Sequence, residues 1–257
     1  MSDLEVQPVA GPTPVGSGMS QLQRVTSTFT APSKTFEDIK RGNRSWWMPW
    51  LIMAIVGYLF FAAVATKVTM QTVVDNQLKM ASEKQQEQMA KAPPEARAMT
   101  EKISLYITEG VFAAGPVFIL VIAAIVSLVL WGTINFVFGG KASFGAVFAV
   151  WFFANLPAIF KSLLGAIVLF AGSAPETFNI KNFAPTNVAA FLPVMETNKA
   201  VYALANSLDF ITIWCLALMG IGIATVAGVK RSSGYIAVFG WWALIVLVGA
   251  GWAAAFG

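Results

Sequence analysis

The chain has 257 residues, of which 57% are hydrophobic and 12% are charged. A typical soluble domain has about 25% charged residues, so a soluble fold of this length would lack the charges to cover its surface. A bilayer removes that requirement, because apolar side chains can face lipid. The formal net charge of +4 is too modest for a nucleic-acid-binding surface, so we expect no nucleic-acid partner. Composition therefore predicts an integral membrane protein.

The N-terminal region precedes the first apolar run and divides into two parts. Residues 1–19 are rich in Pro, Gly and Ser, which predicts a disordered tail. Apolar side chains at helical spacing on both sides of Pro32 predict two short amphipathic helices within residues 20–44. Basic residues flank the apolar face, as in segments that lie on an anionic membrane surface; a short solvated linker helix is the alternative. The apolar positions are Leu22, Val25, Phe29, Phe36 and Ile39.

Five apolar runs follow, and each is long enough to cross a bilayer, which requires about 20 residues. The predicted fold class is therefore all-α: a polytopic membrane protein whose five-helix transmembrane bundle occupies residues 45–257. The predicted spans are approximately residues 46–66, 110–138, 144–172, 207–229 and 234–256.

Two longer segments connect the predicted spans. Residues 67–109 hold six Lys/Arg and six Asp/Glu residues. Their pattern predicts that the first helix continues out of the membrane and that Pro93-Pro94 breaks it before a second helix returns, forming an extramembrane helical hairpin. Residues 173–206 are expected to be irregular, with one short helix near residues 187–192.

The distribution of basic residues predicts the orientation of the chain. The short turns at residues 139–143 and 230–233 carry Lys141, Lys230 and Arg231. In a five-span chain, both turns lie on the same side as the N-terminus. The positive-inside rule then predicts a cytoplasmic N-terminus and a C-terminus outside.

Three segments occur in an order that is found in one known family. They are Pro-Ser-Lys-Thr-Phe-Glu-Asp-Ile at residues 32–39 followed by Trp-Met-Pro-Trp at residues 47–50, the turn at residues 138–144 with Pro157 in the next helix, and the run at residues 208–222. Together these segments resemble the Yip domain of the Ypt/Rab-interacting membrane proteins, in its bacterial branch. The resemblance covers roughly residues 29–257.

This resemblance implies a five-span bundle with a cytoplasmic N-terminus, in the inner membrane if the protein is bacterial. Eukaryotic members of the family are associated with Rab-type GTPases, vesicle traffic and membrane shaping. The N-terminal tail here is short and offers no extended binding domain, which argues against binding of a Rab-like GTPase. The resemblance therefore implies a membrane location and a loose role in membrane organisation.

The sequence lacks the residues that most catalytic and metal sites use. It contains no histidine and one cysteine, Cys215, which excludes a Ser-His-Asp triad and a zinc or iron–sulfur cage within the chain. It also lacks the G-x-x-x-x-G-K-[ST] loop that would hold ATP. We expect neither catalytic activity nor a cofactor; an enzyme that uses carboxylates or lysine is the remaining alternative.

Three ionisable residues near the ends of predicted spans form a candidate intramembrane polar cluster: Lys161, Asp209 and Glu109. Under the predicted orientation, all three lie toward the outer side of the membrane. The functional hypothesis is a cluster that guards a cavity or an ion path. The alternative is that these side chains reach the membrane interface, with one structural ion pair between Lys161 and Asp209.

Small residues recur every four positions in two of the predicted spans. Such stripes allow helix backbones to approach closely, either within one chain or between chains. The candidate packing positions are Ala154, Ala158, Ser162 and Ala166 in the third span, and Gly220, Ala224 and Gly228 in the fourth.

Two functions remain open from the sequence. The first is a non-enzymatic membrane scaffold or adaptor of the Yip type, whose partners are the lipid bilayer and either other membrane proteins or a second copy of the chain. The second is a small transporter or channel-like protein. Transporters commonly show repeated halves and polar groups at the membrane midplane, and the absence of a visible repeat argues against this second function.

Overall fold

The computed structural model describes residues 18–193 and 196–256, so most of the predicted tail, residues 1–19, lies outside the described ranges. Helices dominate the chain from Gln21 onward. The helices of the N-terminal half are α1 (Gln21–Thr30), α2 (Pro32–Lys40), α3 (Trp47–Lys67), α4 (Met70–Lys79), α5 (Glu83–Lys91), α6 (Pro94–Ala113) and α7 (Gly115–Gly132), and a π-helical turn (Thr133–Val137) follows.

The C-terminal half continues the helical fold. Its helices are α8 (Phe144–Ala154), α9 (Ala158–Phe170), α10 (Lys199–Ser207), α11 (Phe210–Ala227) and α12 (Arg231–Phe256). Five helical stretches are long and apolar enough to cross a membrane: α3, α7 with its π-helical turn, α8 with α9, α11, and α12. The prediction of an all-α, five-span membrane protein is confirmed.

The third span is interrupted where α8 ends and α9 begins. Pro157 has no N–H to donate and cannot continue the helix from α8. Asn155 caps the end of α8, since its backbone N–H and its Nδ2 both donate to the Trp151 carbonyl, at 3.1 and 2.8 Å. The interruption divides the apolar interior: α8 packs with α2 and α11 in one core, whereas the end of α9 packs with α3 in another.

The bundle has two ends that differ in structure. At one end, the two short turns lie side by side, since the Lys141 N–H donates to the Ala227 carbonyl at 3.0 Å. We call this the basic end. At the opposite, distal end, the Asn76 side chain on α4 donates to the carbonyls of Pro175 and Phe178 at 2.9 and 3.0 Å. The segment between α9 and α10 is thereby held against the α4–α6 hairpin.

The hairpin differs in detail from its prediction. The first helix does not continue beyond the membrane, because α3 ends at Lys67 and Thr69 adopts a left-handed φ of 69° before α4 begins. The two arms are α4 and α6, which pack together, with the short α5 between them in sequence. The break at Pro93-Pro94 is where the sequence places it, since Pro94 is the first residue of α6.

The segment between the third and fourth spans is more helical than predicted. A short 3-10 turn at Val188–Phe191 matches the expected short helix. The helix α10 was not expected from the sequence. Its N-cap is Asn198, whose side chain accepts hydrogen bonds from the backbone N–H groups of Ala200 and Val201.

The two predicted stripes of small residues differ in whether they bring helices into close contact. In the fourth span, a Cβ atom on Gly220 would lie 2.5 Å from Tyr235 Cδ1, and one on Gly234 would lie 2.8 Å from Ala224 Cβ, so this stripe brings α11 against α12. Gly228 does not join that contact. It ends α11 in the left-handed conformation, with a φ of 70°.

The third-span stripe is divided by the helix interruption after Ala154, which is buried, while Ala158, Ser162 and Ala166 are half-buried. The closest approach on α9 is at Gly165 instead. A Cβ atom there would lie 2.5 Å from the Phe183 ring and 3.0 Å from the Phe60 ring.

The close approach of α11 and α12 gives a testable consequence. Because a Cβ atom on Gly234 would lie 2.2 Å from the Gly220 carbonyl oxygen, we expect Gly234→Ala to destabilise the protein by about 1–3 kcal/mol. Gly240→Ala is the matched control on the same helix, since nothing lies within 4 Å of its Cβ position. Thermal unfolding in detergent, followed by a thiol dye that reacts when the buried Cys215 becomes accessible, measures both. Equal melting temperatures for the two variants would contradict the close crossing.

Candidate functional site

The two N-terminal helices are part of the bundle. Phe36 and Ile39 are fully buried, and Val25 and Phe29 pack against the same core. A Cβ atom on Gly222 of α11 would lie 3.0 Å from the Phe36 ring. Protein from α8 and α11 covers Phe36 and Ile39, whereas Leu22 is exposed. The position of residues 20–44 at the membrane surface stays a prediction.

A buried arginine holds these helices in place. Arg24 is fully buried, and its Nε lies 3.3 Å from Asp38 Oδ2. Its Nη1 donates to the Ser45 carbonyl at 2.7 Å and its Nη2 to the Asn43 carbonyl at 2.7 Å. The guanidinium carbon also lies 4.3 Å from the centre of the Phe153 ring on α8. One side chain therefore joins α1, α2, the start of α3 and α8.

The charge state of this cluster follows from its surroundings. Burial lowers the pKa of Arg24 to about 10, although the neighbouring Asp38 carboxylate opposes this change, so the guanidinium stays charged at neutral pH. Asp38 is satisfied further by the backbone N–H of Met19 at 3.1 Å and the Asn43 side chain at 2.8 Å. The sequence offered no signal for this cluster, because Arg24 has the same helical setting as solvent-exposed basic residues.

Docking of the N-terminal helices creates a continuous basic surface at the basic end of the bundle. Arg231 donates to the Ser33 hydroxyl at 3.3 Å, and Arg44 lies beside Gly145 at the start of α8. This basic face contains exposed side chains from three parts of the chain: Lys34, Lys40, Arg41, Arg44, Lys141, Lys230 and Arg231.

The two ends of the bundle differ strongly in charge. Residues 18–45, 139–143 and 228–233 together contain eight Lys/Arg and two Asp/Glu residues, a net charge of +6. The intervening residues 46–138 and 144–227 contain nine of each, a net charge of zero. Of the two acidic residues near the basic face, Asp38 is buried against Arg24. The acidic side chains of these segments therefore neutralise little of the positive charge of the basic face.

The structure brings two of the three predicted cluster residues together at the distal end. Lys161 Nζ lies 2.9 Å from Asp209 Oδ2, with the lysine side chain 23% exposed and the aspartate side chain 2% exposed. Asp209 is also the N-cap of α11, since its Oδ1 accepts from the Thr212 N–H at 2.8 Å. Thr186 donates to the same carboxylate. Both oxygens of the Asp209 carboxylate therefore accept hydrogen bonds.

The Lys161–Asp209 pair connects the segment between α9 and α10 to the bundle. Phe210 N–H donates to the Thr186 carbonyl at 2.9 Å, next to the isolated bridge between Asn187 and Asp209. The Asn187 side chain donates to Asn182 at 2.7 Å, and Asn182 donates to the Tyr202 hydroxyl at 3.2 Å. This arrangement fixes the segment between α9 and α10 in place.

Glu109 lies apart from this pair. Its side chain is exposed near the end of α6, and no ion pair joins it to another residue in the described ranges. The predicted cluster of three is thus a pair. Across residues 18–193 and 196–256, no group of three or more His, Cys, Asp or Glu side chains is placed to hold a metal ion.

These features define a polytopic α-helical membrane protein with an N-terminal helical pair built into its bundle. A family model described as the Yip1 domain matches residues 26–253, nearly the whole chain. The protein therefore belongs to the Yip1 domain family. No curated protein and no solved structure matches the chain.

The buried arginine cluster predicts how the N-terminal helices respond to mutation. Arg24→Met leaves Asp38 buried without its charge partner, and breaking a buried pair costs about 3–5 kcal/mol. We expect α1 and α2 to detach, so that trypsin cleaves at Lys34 and Lys40 much faster than in the parent protein in detergent. Arg41→Met is the control, because Arg41 is exposed. Unchanged cleavage in Arg24→Met would show that the apolar contacts alone hold the segment.

The Lys161–Asp209 pair predicts coupled mutational effects. In a double-mutant cycle of Lys161→Met and Asp209→Asn, we expect a coupling energy of about 0.5–3 kcal/mol, because either single change leaves one charge without its partner. Lys199→Met combined with Asp209→Asn is the control, since Lys199 is exposed on α10. Thermal unfolding in detergent provides the measurement. Strict additivity in the first cycle would mean that Lys161 acts only as an interfacial anchor.

Proposed function

We propose that this Yip1-family protein is a non-enzymatic membrane scaffold or adaptor that binds partner proteins at its basic face. The observation that carries the proposal is the Arg24 cluster, which fixes α1 and α2 to the bundle and so assembles seven exposed basic side chains from separate parts of the chain. A surface held in a fixed shape can recognise a partner, whereas a mobile linker would lose that shape and incur an ordering cost on binding.

The chemistry of the chain supports a role without catalysis. The sequence has no histidine, its single cysteine is buried on α11, and the Lys161–Asp209 pair is occupied by structural hydrogen bonds. A basic surface suits partners with acidic surfaces, because complementary charge speeds encounter and favours correct orientation. On this proposal the protein needs no cofactor.

The charge asymmetry also supports an orientation. Cytoplasmic ends of membrane proteins carry excess Lys and Arg, and the basic end has a net charge of +6 against zero elsewhere in residues 18–233. We infer that the basic end faces the cytoplasm and that the distal end and the C-terminus lie outside, as in a bacterial inner membrane.

Cysteine labelling tests the orientation. In a Cys215→Ser background, Ser232→Cys at the basic end should be protected from an impermeant thiol reagent in intact cells, and Ser82→Cys in the distal hairpin should react. Both should react after the membrane is permeabilised. Labelling of Ser232→Cys alone in intact cells would invert the orientation.

Site-specific photo-crosslinking tests the adaptor role. A photoreactive residue at Lys34 or Arg41 should give discrete protein adducts in native membranes, and adjacent charge reversal by Lys40→Glu should weaken them several-fold. Lys199→Glu, at the distal end, should leave the same adducts unchanged. Adducts that do not respond to Lys40→Glu, or that respond equally to Lys199→Glu, would remove the support for a charge-directed partner.

A further inference from the structure

A cavity of about 540 Å³ lies between α3, the junction of α6 with α7, and α9. Its size is within the range of small-ligand sites, roughly 300–1,000 Å³. Gly57, the middle residue of the α3 span, lines it, and a Cβ atom there would meet nothing within 4 Å. The cavity therefore reaches the depth at which hydrocarbon surrounds the protein.

The helix break between α6 and α7 forms one wall of the cavity, and two hydrogen bonds tie α3 to the residues around the break. Tyr58 Oη donates to the Ala113 carbonyl at 2.9 Å, and Trp50 Nε1 donates to the Pro116 carbonyl at 3.1 Å. These bonds satisfy carbonyls near the break and fix α3 to both helices at two points. Side chains do not fill the space between those two points, so the arrangement of the helices leaves the cleft open.

The mouth of the cavity opens onto apolar surface. Ile107 and Val111 line the cavity and are also 60% and 51% exposed. Met99 and Tyr106 continue this exposed apolar stripe along α6. A molecule that enters here passes over exposed apolar side chains, which favours an apolar chain as the occupant.

One rim of the cavity is polar. Thr108 and Gln77 line it on the side where α6 and α4 leave the membrane, and neither side chain makes a hydrogen bond to another residue in the described ranges. Donors at an interface suit the ester carbonyls of a lipid, while the apolar remainder suits its hydrocarbon.

We propose that this cavity binds one acyl chain of a bilayer phospholipid, which enters laterally between α3 and α6 and places its ester region at Thr108 and Gln77. This site is separate from the basic face and does not depend on the adaptor function. On this proposal, a bound phospholipid is a structural component of the distal half of the bundle.

The test uses the full chain in nanodiscs that contain a phospholipid with a photoreactive group in its acyl chain. Adducts should concentrate on residues 53–58 and 107–112. Gly57→Phe fills the cavity and should reduce these adducts about tenfold, as expected for a loss of about 1.4 kcal/mol of binding. Gly249→Phe, on the exposed face of α12, should leave them unchanged.

Three outcomes would overturn the proposal: adducts spread evenly over the exposed faces of all spans, adducts unaffected by Gly57→Phe, and labelling by a photoreactive free fatty acid but not by the phospholipid. A melting temperature of Gly57→Phe close to that of the parent shows that the variant is folded. If it is not folded, Val111→Phe at the exposed mouth repeats the test where core packing is not altered.

Discussion

The contact between Arg24 and Asp38 is the interaction on which the organisation of the basic end depends. A charged guanidinium enclosed by protein is tolerable when its charge is paired and most of its N–H groups have acceptors. Here the carbonyls of Ser45 and Asn43 accept from Nη1 and Nη2, and the Asp38 carboxylate pairs with the charge 3.3 Å from Nε, which makes no hydrogen bond. The burial of Arg24 and the positions of the neighbouring helices depend on each other. Arg24 cannot be buried unless α1, α2 and the start of α3 are all in position, and those elements in turn cover apolar surface of α8 and α11.

The interruption at Pro157 has the corresponding role in the other half of the bundle. The helix α8 packs against α11, whereas after the interruption α9 packs mainly alongside α3 and keeps a smaller contact with α11, where Lys161 meets Asp209. At Gly165, α9 receives the rings of Phe60 and Phe183. The helix α9 therefore contributes to the apolar core at the distal end, to the cavity beside α3 and to the packing of the segment between α9 and α10.

The sequence predicted the spans because the bilayer imposes length and apolarity on each one independently of its neighbours. It also named Lys161 and Asp209 as members of a candidate polar cluster, since ionisable residues within spans are few, but it left open whether the two form an ion pair. Arg24 was missed because a basic residue outside the spans is ordinarily solvated, so only the tertiary structure reveals its burial. The break at Thr69 was missed because tertiary contacts, more than local propensity, decide where a helix ends. The helix α10 was missed although its alanines and leucine favour a helix.

The docking of α2 against Gly222 has a consequence for the order in which the chain is assembled. Phe36 emerges from the ribosome long before its binding surface on α11 exists, and at 5–20 residues per second the delay is about 10–40 s. During that interval, α8 supplies part of the protein surface that covers the N-terminal helices, but the part on α11 is missing. We expect the uncovered apolar side chains to contact the lipid interface until the fourth span is made.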